Sequence, residues 1–181
     1  MAATVAALLL AVAPPARAEL RVSDLDVFLN DFEVTVHTAL LGAIPAAVTD
    51  GLESGIPTYV RYTVELWQFN RLWRDRLVTS KVVERHLTYN VVTKEFRVTS
   101  AKGETRPPYM TRELRDAQRV LSELRSLKLA PASSLDPAEI FYVRVRAETA
   151  LNGDTSMLAR IAGTAEQAMR QSDYRTIQRV Q

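Results

Sequence analysis

The chain has 181 residues, 47% hydrophobic and 24% charged, enough for one domain with a hydrophobic core of its own. Its 23 Lys+Arg against 21 Asp+Glu leave a net charge of +2, too small an excess for a nucleic-acid-binding surface. There is no cysteine, which excludes thiol catalysis, disulfide staples and thiolate-ligated zinc.

The chain opens with MAATVAALLLAVAPPARA, in which an apolar run over Ala2–Ala13 is followed by Pro14-Pro15 and then Ala16-Arg17-Ala18. An apolar run, a helix-breaking Pro pair and an A-x-A end mark a secretory signal peptide over residues 1–18, with Glu19 as the first mature residue. The run is about 12 residues, short of the ~20 that span a bilayer. The expectation is an exported, periplasmic or extracellular protein with no transmembrane span in its mature chain. One globular domain is expected over 19–151, followed by a C-terminal helix and extension over 152–181.

Two strands are predicted near 20–29 and 32–41, joined by a turn at LND. Phe32, Val34, Val36 and Leu40 face one way along the second strand, with Glu33, Thr35 and His37 opposite. A short helix starts at Pro45 and stops at Gly55, a residue suited to the left-handed position after a helix end, while Pro57 prevents its continuation. From Val60 the period becomes two, with Val60, Tyr62, Val64 and Leu66 on one face and Arg61, Thr63 and Glu65 on the other. Strands follow in RLVTSKVVERHLTYN and EFRVTSAKGE, around a hairpin loop at Asn90 to Lys94. Leu114, Ala117, Leu121 and Leu124 form an apolar stripe that predicts one helix over 111–129, with Thr111 as its N-cap. IFYVRVRAETAL reads as the last clear strand, and a short helix is predicted near 155–171. The fold class is α+β: an antiparallel, sandwich-like sheet core of about six strands with two or three packed helices.

The order of these pieces carries a resemblance. ALLGAIPAAVTDGLESGIPTYVRYTVELW, LWRDR, LTYNVVTKEFRV and FYVRVRAE, in that order, resemble the exported bacterial domain-of-unknown-function family 4390 over roughly residues 20–151. The resemblance implies the fold and export. It supplies no catalytic residues, and the tail after Leu151 departs from its pattern.

No nucleophile elbow, P-loop or dinucleotide-binding glycine fingerprint occurs. His37 and His86 fall on separate strands without ligand-type spacing and read as surface or core-edge residues. Asp24, Asp26 and Asp31 could offer oxygens to calcium, but the glycine and terminal glutamate of an EF-hand loop are missing. Glu65, Asp75 and Glu84 could supply a carboxylate pair, although no spacing selects them. No catalytic residue, metal site or cofactor is therefore assigned.

The one constellation that suggests binding is ELWQFNRLWRDR, which sets Trp67, Phe69 and Trp73 among Arg71, Arg74 and Arg76. Arginine beside tryptophan suits anionic headgroups or a carboxylate-rich partner. The bland alternative packs the 111–129 helix over these aromatics and leaves the arginines in water. Three readings of function stay open. One is a non-catalytic interaction module of the cell envelope, docking on an envelope or membrane-protein partner. Another is a carrier of a lipid or other amphiphile, and the third is a hydrolase with a dispersed site.

Overall fold

The computed structural model describes residues 19–173 and 175–176. Residues 1–18, read from the sequence as a signal peptide, and the end of the C-terminal extension lie outside the described residues. The class is α+β and the sheets are antiparallel, with ten strands among the described residues where the sequence marks about six. A three-stranded sheet has the order β1 (Arg21–Asn30), β2 (Glu33–Leu41), β7 (Glu123–Pro131). A larger sheet runs β10 (Arg175–Thr176), β8 (Ile140–Leu151), β3 (Thr58–Gln68), β4 (Arg76–Asn90), β5 (Glu95–Lys102), β6 (Tyr109–Thr111), and β9 (Ala165–Gln171) also pairs with β8. No helix among the described residues is long and apolar enough to cross a membrane.

Alternation puts Val60, Tyr62, Val64 and Leu66 of β3 and Val143, Val145 and Ala147 of β8 on one face of the large sheet. They share a single core with Val34, Val36, Leu40, Leu124 and Leu129 of the small sheet. Thr35 is buried as well, so β2 does not alternate cleanly; its register with β7 shifts at Val34/Thr35 and again at Val36/Thr38. Helix α1 (Ala46–Glu53) buries Val48 and Leu52 against this core. Gly51 inside it weakens helix propensity, yet Leu151 lies so close that a Cβ there would come within 2.7 Å of Leu151 Cδ2. The helix ends in a Schellman motif: Gly55 N–H donates to Leu52 O at 2.8 Å and Ile56 N–H to Gly51 O at 3.0 Å, with Gly55 at φ +89°.

The stripe 114–124 is not one helix. Helix α2 (Leu114–Ser122) stops after nine residues, and Glu123–Pro131 becomes β7, so Leu124 is buried from a strand. The buried Arg85 explains the stop. Its guanidinium donates to the carbonyls of Val120 (2.8 Å), Leu121 (3.4 Å) and Glu123 (2.6 Å), while Tyr62 OH also donates to Leu121 O (3.0 Å). Carbonyls that would have continued the helical ladder are thus taken by side chains of the large sheet. Thr111 is not the N-cap either: Glu113 occupies that position, and Thr111 Oγ1 accepts from Glu113 N–H at 3.1 Å. The helix expected over 155–171 is also shorter. Helix α3 (Met157–Ala162), capped by Ser156 and ended by Gly163 at φ +75°, turns directly into β9, which pairs with β8.

Two ends of the sandwich can be distinguished. At one, Thr149 Oγ1 donates to Ala43 O at 2.8 Å, joining the end of β8 to the chain after β2. Along the edge, Leu20 N–H donates to Glu166 Oε2 at 2.7 Å and Arg170 donates to the carbonyls of Val22 and Ser23. β1 therefore advances beside β9 in the same direction, and carries on to the opposite end. There the β1–β2 turn is tied to the chain after β7 by Ala132 N–H to Phe32 O (2.7 Å), and the chain after β3 to β8 by Phe69 N–H to Ile140 O (2.8 Å). Both the β1–β2 turn and the β3–β4 loop emerge at this second end.

Candidate functional site

The arginine–tryptophan constellation divides in two. Trp67 lies on the face of the large sheet turned away from the core, directly opposite Tyr142 of β8 and Leu77 of β4. Its ring stacks parallel to that of Tyr142 at a centroid distance of 6.5 Å, and Arg144 sits over it at 4.9 Å. Trp67 Nε1–H donates to Glu65 Oε2 at 2.8 Å. Helix α2 does not cover this face; it packs on the inner side, where Tyr62 reaches its carbonyl. The outer aromatic is half-buried by its own strand neighbours instead.

Trp73 has no such cover. It is 81% exposed, and the neighbouring Leu72 is 91% exposed, in the loop between β3 and β4. That loop is held in place: Asn70 Oδ1 accepts from Leu72 N–H (3.0 Å) and Trp73 N–H (3.2 Å), and Asp75 Oδ1 accepts from Asn70 N–H (3.0 Å). Tyr142 OH anchors the loop to the sheet by donating to Asp75 Oδ2 at 2.7 Å. The Asn70 amide and the Tyr142 hydroxyl hold the Asp75 carboxyl below the usual aspartate range, so the anchor stays charged at neutral pH. Arg71 and Arg74 flank the apolar pair and are exposed. Arg76 is tied back to Gln68 Oε1 by Nε (2.9 Å), and Phe69 is half-buried at the strand end. The structure therefore brings together Leu72, Trp73, Arg71 and Arg74 as a presented tip, and sets Trp67 apart as part of the sheet. Sequence reading passed over Leu72 because a single leucine carries no pattern of its own.

Phe32 is the clearest reversal. Expected on the inward face of β2, it is 80% exposed at the second position of the β1–β2 turn. Asp31 and Phe32 have φ of +50° and +61°, the two positive values of a type I′ hairpin turn, whose second position ordinarily holds glycine. Phe28 and Leu29 beside it are exposed too.

The other candidates do not converge. His37 lies on the small sheet, with Nε2 3.2 Å from Ser126 Oγ and its ring edge-on to Phe28. His86 lies on the large sheet, 3.0 Å from Glu84 Oε1 and packed on Tyr59. His86, followed by Arg61, holds the Glu84 carboxyl below the usual glutamate range. Glu65, Asp75 and Glu84 are each engaged, by Trp67, by Asn70 and Tyr142, and by Arg61 and His86. Asp24 accepts from Ser23, and Asp31 pairs with Lys128 at 3.7 Å. Among the described residues no group of three or more His, Asp or Glu is placed to hold a metal ion.

The two tryptophans should behave differently. Trp67→Ala removes a half-buried stack, a cation–π contact and an indole hydrogen bond, and is expected to cost about 2 kcal/mol. Trp73→Ala should stay within about 0.5 kcal/mol of the parent in urea unfolding. A loss at Trp73 equal to that at Trp67 would mean the loop tip is packed.

A family match covers residues 17–175, and that family is described as Domain of unknown function (DUF4390). The match runs past Leu151 and through β9, farther than the 20–151 carried by the sequence resemblance. Neither the curated proteins nor the solved structures contain a match to the chain.

Proposed function

The chain belongs to the family described as Domain of unknown function (DUF4390), and on that footing we propose that it is a non-catalytic docking module of the cell envelope. It engages its target through the β3–β4 loop. The observation that supports this reading is the exposure of Leu72 and Trp73 on a loop pinned by Asn70, Asp75 and Tyr142, between two exposed arginines. A folded chain that leaves a tryptophan and a leucine almost fully in water, on a loop too constrained to tuck them in, gains nothing in stability from them. Their use is contact with something else. Arg71 and Arg74 favour an anionic surface on that target.

The test is fractionation of cells that express the protein. The Leu72→Ser/Trp73→Ser variant should keep the melting temperature of the parent and move from the envelope-bound to the freely soluble exported fraction. Equal retention of parent and variant would sink the docking role of the loop. N-terminal sequencing should read Glu19; Met1 retained on a cytosolic protein would remove the envelope from the account.

A further inference from the structure

We infer that the surface engaged by this loop is an anionic phospholipid bilayer, with the protein seated on it end-on through two apolar tips. This rests on the docking role proposed for the β3–β4 loop and names what it docks on. The first tip is Leu72 and Trp73; the second is the β1–β2 turn with Phe28, Leu29 and Phe32, which belongs to the other sheet and emerges at the same end of the sandwich. Two convex tips on separate sheets suit a plane, whereas a protein pocket would receive one of them. Three clefts among the described residues, of about 780, 450 and 210 Å³, are lined by residues of the opposite end and the β1–β9 edge, and by neither tip.

Phe32 strengthens the inference. Its backbone is in the left-handed region, where an aromatic residue is strained and glycine is not, and its side chain is left in water. The fold gives up stability at this position and gains no internal contact that compensates. Two exposed cations at this end can meet an anionic plane: no ion pair among the described residues involves Arg71 or Arg74. They act against carboxylates at the same end that keep their charge, Asp75 held by Asn70 and Tyr142, Asp136 by Ala138 N–H, Asp31 at 3.7 Å from Lys128, and Glu33 and Glu139. Tryptophan and phenylalanine seat at the headgroup level, with arginines on the phosphates.

The experiment is sedimentation of protein purified from the envelope, its N-terminus verified, with phosphatidylglycerol–phosphatidylcholine vesicles and with phosphatidylcholine vesicles alone. The parent should bind the anionic vesicles and release with salt. Leu72→Ser/Trp73→Ser should weaken binding on the order of tenfold, and Phe32→Gly by about threefold while raising the melting temperature. In a Trp67→Phe background Trp73 is the only tryptophan, and its emission should shift to the blue on adding anionic vesicles. Failure of the parent to bind anionic vesicles, or full binding by the Leu72/Trp73 variant, would overturn the bilayer. If the same variant nevertheless leaves the envelope fraction in cells, docking through the loop stands and its target is a protein.

Discussion

Arg85→Met is expected to lower the unfolding free energy by about 3–5 kcal/mol, among the largest effects of any single change in this chain. Arg85 is 1% exposed, and its Nε and Nη2 reach the two Glu104 oxygens at 2.5 and 2.9 Å, while Nη1 serves the carbonyls of Val120, Leu121 and Glu123. A methionine fills much of the volume but takes the arginine donor from the Val120 and Glu123 carbonyls, leaves Leu121 O with Tyr62 OH, and strips a partly buried carboxylate of its ion-pair partner. Each orphaned group adds its own desolvation cost. The double variant Arg85→Met/Glu104→Gln should recover part of the loss, because it removes the uncompensated charge. Burial pushes the Glu104 carboxyl up, but Arg85, with Arg106 and Ser100, more than offsets this and holds it below the ordinary 4.5. A carboxyl depressed in the folded state contributes stability that is present above its ordinary value and is lost as pH falls through the folded one. The advantage of the parent over Glu104→Gln should therefore be full at neutral pH and shrink below about pH 4.5. An advantage that persists unchanged well into acid would show that the ion pair does not carry it.

Gly103→Ala should cost about 2–5 kcal/mol, the sum of ~1–2 for a left-handed alanine and ~1–3 for relieving an overlap. Gly103 has φ +82°, and an added Cβ would overlap the Val82 carbonyl oxygen outright and lie 2.9 Å from its carbon. The atoms it would meet are all Val82–Val83 backbone, so no flexible side chain can yield. The strain falls next to Glu104, so the Arg85 pair is disturbed too. Gly55→Ala is the control, with a similar φ of +89° but only Tyr89 O within reach, at 3.8 Å. It should show the conformational cost alone, about 1–2 kcal/mol. Equal urea midpoints for the two variants would mean that the β4–β5 neighbourhood gives way around Gly103.

Local pattern was enough for β1, β2, β3, β4, β5 and β8, the α1 stop at Gly55 and the α+β class, because each is written in neighbouring residues. Period-two alternation in Val60–Leu66 and in Val143–Ala147 survives folding because one face meets a core and the other is more open to water. The stripe at Leu114–Leu124 and the segment after Ser156 misled for a common reason. Helix and strand both bury those leucines and alanines, and propensity decides little between them. What decided was distant in sequence: Arg85 and Tyr62 take the carbonyls where α2 would have continued, and the open edge of β8 takes β9. The candidate site shows the same division. The residue types of ELWQFNRLWRDR are visible in the chain, including the company of arginine and tryptophan. That Trp67 stacks on Tyr142 while Trp73 stands in water depends on a pairing across 75 residues of β3 with β8 and on the hold of Tyr142 on Asp75. Phe32 likewise alternates correctly with Val34 and Val36, but the hairpin register places it in the turn. Side-chain type and periodicity are properties of neighbours, and so the sequence alone determined those six strands and the supply of apolar and basic groups. Exposure depends on what the rest of the chain brings to each face, and only the tertiary structure decided which of those groups meet solvent.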